Sequence, residues 1–384
     1  MNPSLLLHVV ERLENVLHRL PDAIQRPVLR EITPLKELFL RQRPARLLIC
    51  GLPDRPLYEI VATLFGMPED APQTALATHI HRWENWQIGD RGSVSLLDAR
   101  GVDPVAAADT REEVQNSAPD IIVCVDDFGA GRVKRKRAND SLTSCLDLFG
   151  SVTPPGPILA VNLNPPKSAK VSPDSSEPTA RDNRIVATFD FSKNPEAESK
   201  RFCSAISRRV PNEARVEMIR ISGDKTAQNE IAQTLTKSAS VICGAIGAQP
   251  IPLADLPILT TLQLLLVSGI MYVSGRERSL RAATEFVATL GVNVGAGMLL
   301  REGARAVLKF IPGWGNVVCG MIAAGGTYGI GRAASVYFID GVSLRDARRT
   351  YLTSRKRKAK PTYLENGERH APDSLRRVTR NHSE

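Results

Sequence analysis

Residues 49–66 read ICGLPDRPLYEIVATLFG. A short apolar run, RLLIC (46–50), meets Gly51, passes through a loop and enters an amphipathic segment that ends at LFG. Strand, glycine, loop and helix is the order in which chains that bind nucleoside triphosphates place G-x-x-x-x-G-K-S/T. Backbone N–H groups and a lysine must cradle phosphate at that junction. Here the eight positions are Gly51, Leu52, Pro53, Asp54, Arg55, Pro56, Leu57 and Tyr58, and only the first matches. The lysine is missing, Tyr58 stands where Ser or Thr would meet Mg²⁺, and Pro53 and Pro56 remove two backbone donors. Asp54, just ahead of Pro56, is expected to cap the helix and to set a carboxylate where phosphate would rest. Every departure opposes phosphate.

From Arg46 to about Ala239, strand-like and helix-like runs alternate. HIHRWENWQI (79–88), the turn GDRG and SVSLLD (93–98) predict an antiparallel hairpin. DIIVCV (120–125), PILAVN (157–162) and VEMIRIS (216–222) predict short, largely apolar strands. Together they predict an α/β domain, a mostly parallel sheet wrapped by helices. The stretch 165–185 is rich in Pro, Ser and charge and reads as a long loop. Ahead of the sheet, Leu5, Leu6, Val9, Val10, Leu13, Val16, Leu17 and Leu20 form a helical stripe closed by Pro21, and a second helical run reaches about Arg41. The start lacks a basic segment and meets Glu11 early, so it reads as a cytoplasmic beginning rather than a secretory signal.

Beyond Ala248 the composition changes. Residues 256–275, 286–300 and 310–331 carry no charge, and short polar links separate them. Glycines recur there, with Gly291/Gly295 and Gly325/Gly329 at spacing four, which permits close helix–helix approach in lipid or in a tightly packed bundle. The first and last of these runs reach the ~20 residues that a bilayer span needs. The formal charge of +9 is uneven. Residues 355–384 hold nine Lys/Arg against four Asp/Glu, a net +5, and KRKR recurs at 134–137. Such runs suit the anionic cytoplasmic leaflet of a membrane, or nucleic acid. Few aromatic residues flank them, which disfavours single-strand binding. The six cysteines lie far apart without C-x-x-C or Cys/His pairing, so neither a disulfide framework nor a zinc site is expected.

Some of the remaining signals follow in the order of a GTPase. LLDARG places Asp98 and Gly101 in a D-x-x-G pattern at a strand end, where Asp would serve the Mg²⁺ shell and the Gly N–H the γ-phosphate. AVNLNPP falls where N-K-x-D would read guanine, but only Asn162 remains, with Leu163 and Pro165 at the lysine and aspartate positions. RISG (220–223) matches an S-A-K loop in part, through Ser222. On these residues, about 44–240 resembles an Era-like small GTPase domain. QPIPLADLPILTTLQ (249–263) and IPGWGNVV with AAGGTYGIGRAA resemble the helical domain-of-unknown-function family 697, which follows such GTPase domains in many bacterial chains.

Pattern and resemblance together divide the chain into N-terminal helices over 1–43, a degenerate GTPase-like α/β domain over 44–240, a Gly-rich hydrophobic helical domain over 248–354 and a basic tail over 355–384. With the departures from the phosphate motif, the uncharged helical runs and the basic flanks, the expected protein is a membrane-associated pseudo-GTPase facing the cytoplasm, serving as a binding or regulatory module with a protein partner. Gly51, Asp98, Gly101, Asn162 and Ser222 would be remnants of the nucleotide site. A GTPase that still takes GTP and Mg²⁺ and a nucleic-acid-binding protein are the alternatives. His79 and His81, at i, i+2, have the spacing of metal ligands but no third partner, and are read as hairpin surface. Asp126 and Asp127 are read as loop caps, and no catalytic residue is assigned.

Overall fold

A computed structural model of the chain describes residues 25–26, 29–31, 42–51, 55–68, 82–101, 106–126, 140, 142–143, 146–147, 156–163, 185–248, 256–291 and 314–359. The stripe at 4–20, Pro53, Asp54, His79, His81, Asp127, KRKR and the tail beyond 359 lie outside these residues. The chain divides into two compact units, one built on Ile32–Ala232 with Gly269–Arg278, the other on Gln233–Ser268 with Ser279–Glu384.

The first unit is a six-stranded sheet between helices. Its strands are β1 (Ala45–Gly51), β2 (Glu84–Gln87), β3 (Ser93–Asp98), β4 (Ile121–Asp126), β5 (Ile158–Asn162) and β6 (Ile185–Asp190), in the order β2-β3-β1-β4-β5-β6. All neighbours are parallel except β2, which runs antiparallel to β3 at one edge. The hairpin and three of the other predicted strands, β1, β4 and β5, are therefore present. Helices are α1 (Leu57–Phe65), α2 (Ala106–Asn116), α3 (Pro195–Ser207) and α4 (Asn212–Ser222).

The central strands read as unbroken apolar runs because both faces are covered. Leu47 and Ile49 enter one cluster with Ile60 and Leu64 of α1, Phe202 of α3 and Met218 of α4. Leu48 and Cys50 enter the other, with Val114 of α2 and Leu142. Phe202 sits at the centre of the first face, with Phe65, Phe189 and Phe191 edge-on to it at centroid distances of 6.1, 5.3 and 6.1 Å.

The stretch 216–222 is not a strand. It is the second half of α4, which buries Ala214, Met218 and Ile221 on the sheet cluster and also buries Val216 and Ile219. A helix buried on two sides has no single apolar stripe, so its pattern imitates alternation. The sixth strand comes instead from IVATFD (185–190), an edge strand in which only Phe189 is deeply buried.

In the second unit, α5 (Lys225–Gly247, which begins in the first unit), α6 (Leu256–Val273, whose end from Gly269 belongs to the first unit), α7 (Leu280–Gly291), α8 (Trp314–Phe338) and α9 (Leu344–Ala359) carry the glycine-rich sequence. α8 meets α5 backbone to backbone: a Cβ added at Gly320 would lie 2.8 Å from Gly244 O and 3.0 Å from Ala248 Cβ. Further along α8, Gln263 of α6 donates to Thr327 Oγ1 (3.1 Å). Gly329 lies against Tyr351 of α9. Among the described residues no helix is long and apolar enough to cross a membrane. The 18 residues of α6 rise about 27 Å, short of a ~30 Å hydrocarbon layer, and Arg276, Glu277 and Arg278 follow closely. α8 is longer, but its small residues, Thr327 and Arg332 dilute its apolar character.

Candidate functional site

In open α/β sheets, ligands sit outside the carboxyl ends of the strands. In this chain those ends are Gly51, Asp98, Asp126, Asn162 and Asp190, brought into line by the parallel register. Four of the five expected remnant positions, Gly51, Asp98, Gly101 and Asn162, lie at this edge or in the turn after it.

Asp98 is buried, and its carboxylate is fully engaged. Arg100 Nε donates to Oδ1 (2.8 Å), Arg100 Nη2 to Oδ2 (2.7 Å), and the Arg100 backbone N–H to Oδ1 (3.1 Å). The remaining arm, Nη1, donates to Arg55 O (2.7 Å) in the loop between β1 and α1. The two side chains are 6% and 9% exposed, so this is a buried, bidentate pair whose geometry satisfies most of the guanidinium. Arg100 thus ties the end of β3 to the loop after β1. Those are the two loops between which a GTPase would hold Mg²⁺ and phosphate.

The Asp98 carboxylate already faces a fixed cation, and a second cation would meet the guanidinium. The N-cap of α1 is Pro56, without a side-chain cap hydrogen bond, and Asp54, the expected cap, lies outside the described residues. The acid of the first turn is Glu59, and Tyr58 Oη donates to Glu59 Oε1 (3.3 Å). The Glu59 charge pushes the Tyr58 phenol above its usual range.

Gly51 has a reason of its own. Its φ is +107°, and a Cβ there would lie 2.7 Å from Val125 N and 2.8 Å from Val125 C. Close approach to β4 accounts for the glycine. Gly101 turns the chain after β3 with φ +64°. Asn162 faces its neighbour: Nδ2 donates to Asp190 Oδ1 (3.0 Å), which also accepts from Ser192 N (3.1 Å). It fastens β5 to β6 with a side chain that would otherwise be available to a base. Asp126 ends β4 opposite Asn162.

Ser222 does not belong to the site. It ends α4, where its Oγ donates to Ile219 O (2.9 Å) and accepts from Asp224 N (3.2 Å). The preceding carbonyl, Ile221 O, accepts from Arg91 in the β2–β3 turn, at the amino end of β3. That is about five residue steps of ~3.3 Å from the carboxyl edge. The same end holds a structural cluster. Glu217 accepts from Ser93 N (3.0 Å) and Tyr272 Oη (2.7 Å), and the Arg220 and Arg278 guanidiniums cover the Tyr272 ring at 3.9 and 4.1 Å. Burial, then the bond to Glu217, raises the Tyr272 phenol.

Arg100, Arg55 and Asp190 are the participants that sequence reasoning missed. The signal for Arg100 was present: an arginine two residues after the aspartate of D-x-x-G can fold back onto it. Among the described residues, no group of three or more His, Cys, Asp or Glu side chains converges as metal ligands. No protein-family model matches the chain. No curated protein matches it either.

Proposed function

We propose that the α/β unit is a small-GTPase-like module that works without nucleotide, as a binding or regulatory surface for a protein partner at the cytoplasmic face of a membrane. The observation that carries this reading is the Asp98–Arg100–Arg55 clamp, an internal cation seated between the two loops that would hold Mg²⁺ and phosphate. The strand order, with a single antiparallel edge strand beside β3, agrees with the Era-like resemblance. The helical unit is read as the family 697-like module, and its membrane association as attachment at the surface rather than spanning.

The test is titration of labelled GTP with Mg²⁺ against the full-length protein. Absence of binding up to high micromolar nucleotide is expected, and low-micromolar binding would refute the reading in favour of an active GTPase. Placing Gly, Lys and Ser at Pro56, Leu57 and Tyr58 does not restore binding on its own, because Arg100 still holds Asp98 and the Asn162 amide still holds Asp190.

A further inference from the structure

Helix α9 begins with a reciprocal cap: Ser343 Oγ donates to Asp346 Oδ2 (2.6 Å) and accepts from Asp346 N (3.3 Å). Asp346 is the only acid in a 16-residue helix that also carries Arg345, Arg348, Arg349, Arg355, Lys356, Arg357 and Lys358. One side of the helix is turned to its own unit, with Ala347 fully buried and Tyr351 against Gly329 of α8. The other side presents Arg345, Arg349 and Leu352 at i, i+4 and i+7; both arginines are exposed and Leu352 is 42% exposed. Among the described residues neither arginine has an ion-pair partner.

The helix dipole does not account for this arrangement. Cations are favoured in the last turn of a helix, whereas Arg345, Arg348 and Arg349 occupy the first two turns, beside the positive end. An anion outside the helix is what such a face complements. We infer that the outward face of α9, Arg345–Arg349–Leu352, docks on an anionic phospholipid bilayer surface. Leu352 is the discriminating residue: an exposed apolar side chain among cations enters the headgroup boundary of a bilayer. Single-stranded nucleic acid would be served better by an exposed aromatic, and the one aromatic of the helix, Tyr351, lies against Gly329. This inference rests on the surface-attachment reading above and names the face and the lipid class.

Full-length protein is co-sedimented at 100 mM salt with vesicles of phosphatidylcholine and phosphatidylserine (70:30), and with phosphatidylcholine alone. Binding to the anionic vesicles only is expected, falling as salt rises. Each Arg→Gln change weakens it about fivefold, so Arg345→Gln with Arg349→Gln weakens it about 25-fold. Leu352→Ser reduces binding at every salt concentration. Thermal unfolding of the variants, unchanged for exposed and unpaired side chains, shows that folding is intact. If the parent binds anionic vesicles and the double variant binds equally well, this face is wrong while surface attachment stands. If the parent does not bind them at all, both fail. Duplex DNA binding that the double variant loses, without vesicle binding, would reassign the face to nucleic acid and overturn the inference.

Discussion

Replacing Arg100 by alanine leaves the Asp98 carboxylate buried, with its bidentate partner and the tie to Arg55 O both gone. Breaking a buried pair by removing one member costs about 3–5 kcal/mol, because the surviving charge keeps its desolvation penalty without compensation. Removing both charges costs far less. An Asp98→Leu/Arg100→Met variant leaves Arg55 O short of one donor, about 1 kcal/mol, and no buried ion. For a unit of this size 1 kcal/mol corresponds to about 2–4 °C, so Arg100→Ala is expected to lower the midpoint by roughly 6–20 °C. The assay is urea and thermal unfolding by tryptophan fluorescence in a Trp314→Phe background, so that Trp83 and Trp86, which pack on the two faces of the sheet unit, carry the signal. Millimolar Mg²⁺ should leave the parent midpoint unchanged. Two results would refute the reasoning. One is an Arg100→Ala variant within about 0.5 kcal/mol of the parent, the scatter of ordinary surface changes. The other is stabilisation of the parent by Mg²⁺ that Asp98→Asn abolishes, which would make Asp98 a metal ligand.

Gly51→Ala should destabilise the sheet unit by at least about 3 kcal/mol with no ligand present, since its Cβ overlaps the β4 backbone at a positive φ; a neutral effect in chemical unfolding would return the glycine to a ligand-binding role. Gly320→Val should disrupt the α5–α8 crossing, where the added atoms meet Gly244 O and Ala248, and a circular-dichroism melt indistinguishable from the parent would contradict that contact. Burial pushes the Cys203 and Cys243 thiols up from an ordinary 9.0 to about 12, with Arg91 beside Cys203 offsetting part of it. A raised folded-state value means that this stabilisation is complete below about pH 9 and lost as pH climbs toward 12, because the unfolded chain ionises first. The urea midpoint of the parent should therefore fall more steeply over that window than that of Cys203→Ala/Cys243→Ala, and equal slopes would count against it.

Much of the sheet unit was legible in the sequence because its determinants are local. RLLIC, SVSLLD, DIIVCV and PILAVN are short apolar runs closed by Gly, Asp or Asn, and a strand buried on both faces leaves that trace without help from distant residues. The missing lysine and the two prolines of GLPDRPLY were equally plain. Tertiary structure alone decided that 212–222 is a helix, since burial on two sides erased the stripe by which helices are recognised. It also decided that 185–190 closes the sheet as an edge strand whose weak pattern carries little information. The occupancy of Asp98 lies between these cases. Arg100 is only two residues away in sequence, yet its pairing depends on the β1–α1 loop presenting Arg55 O to the third arm of the guanidinium. The glycines of the helical half were visible as a pattern, but lipid and protein neighbours favour small residues alike. Only the approach of Gly320 to Gly244 identifies the surface they meet as another helix of the same chain.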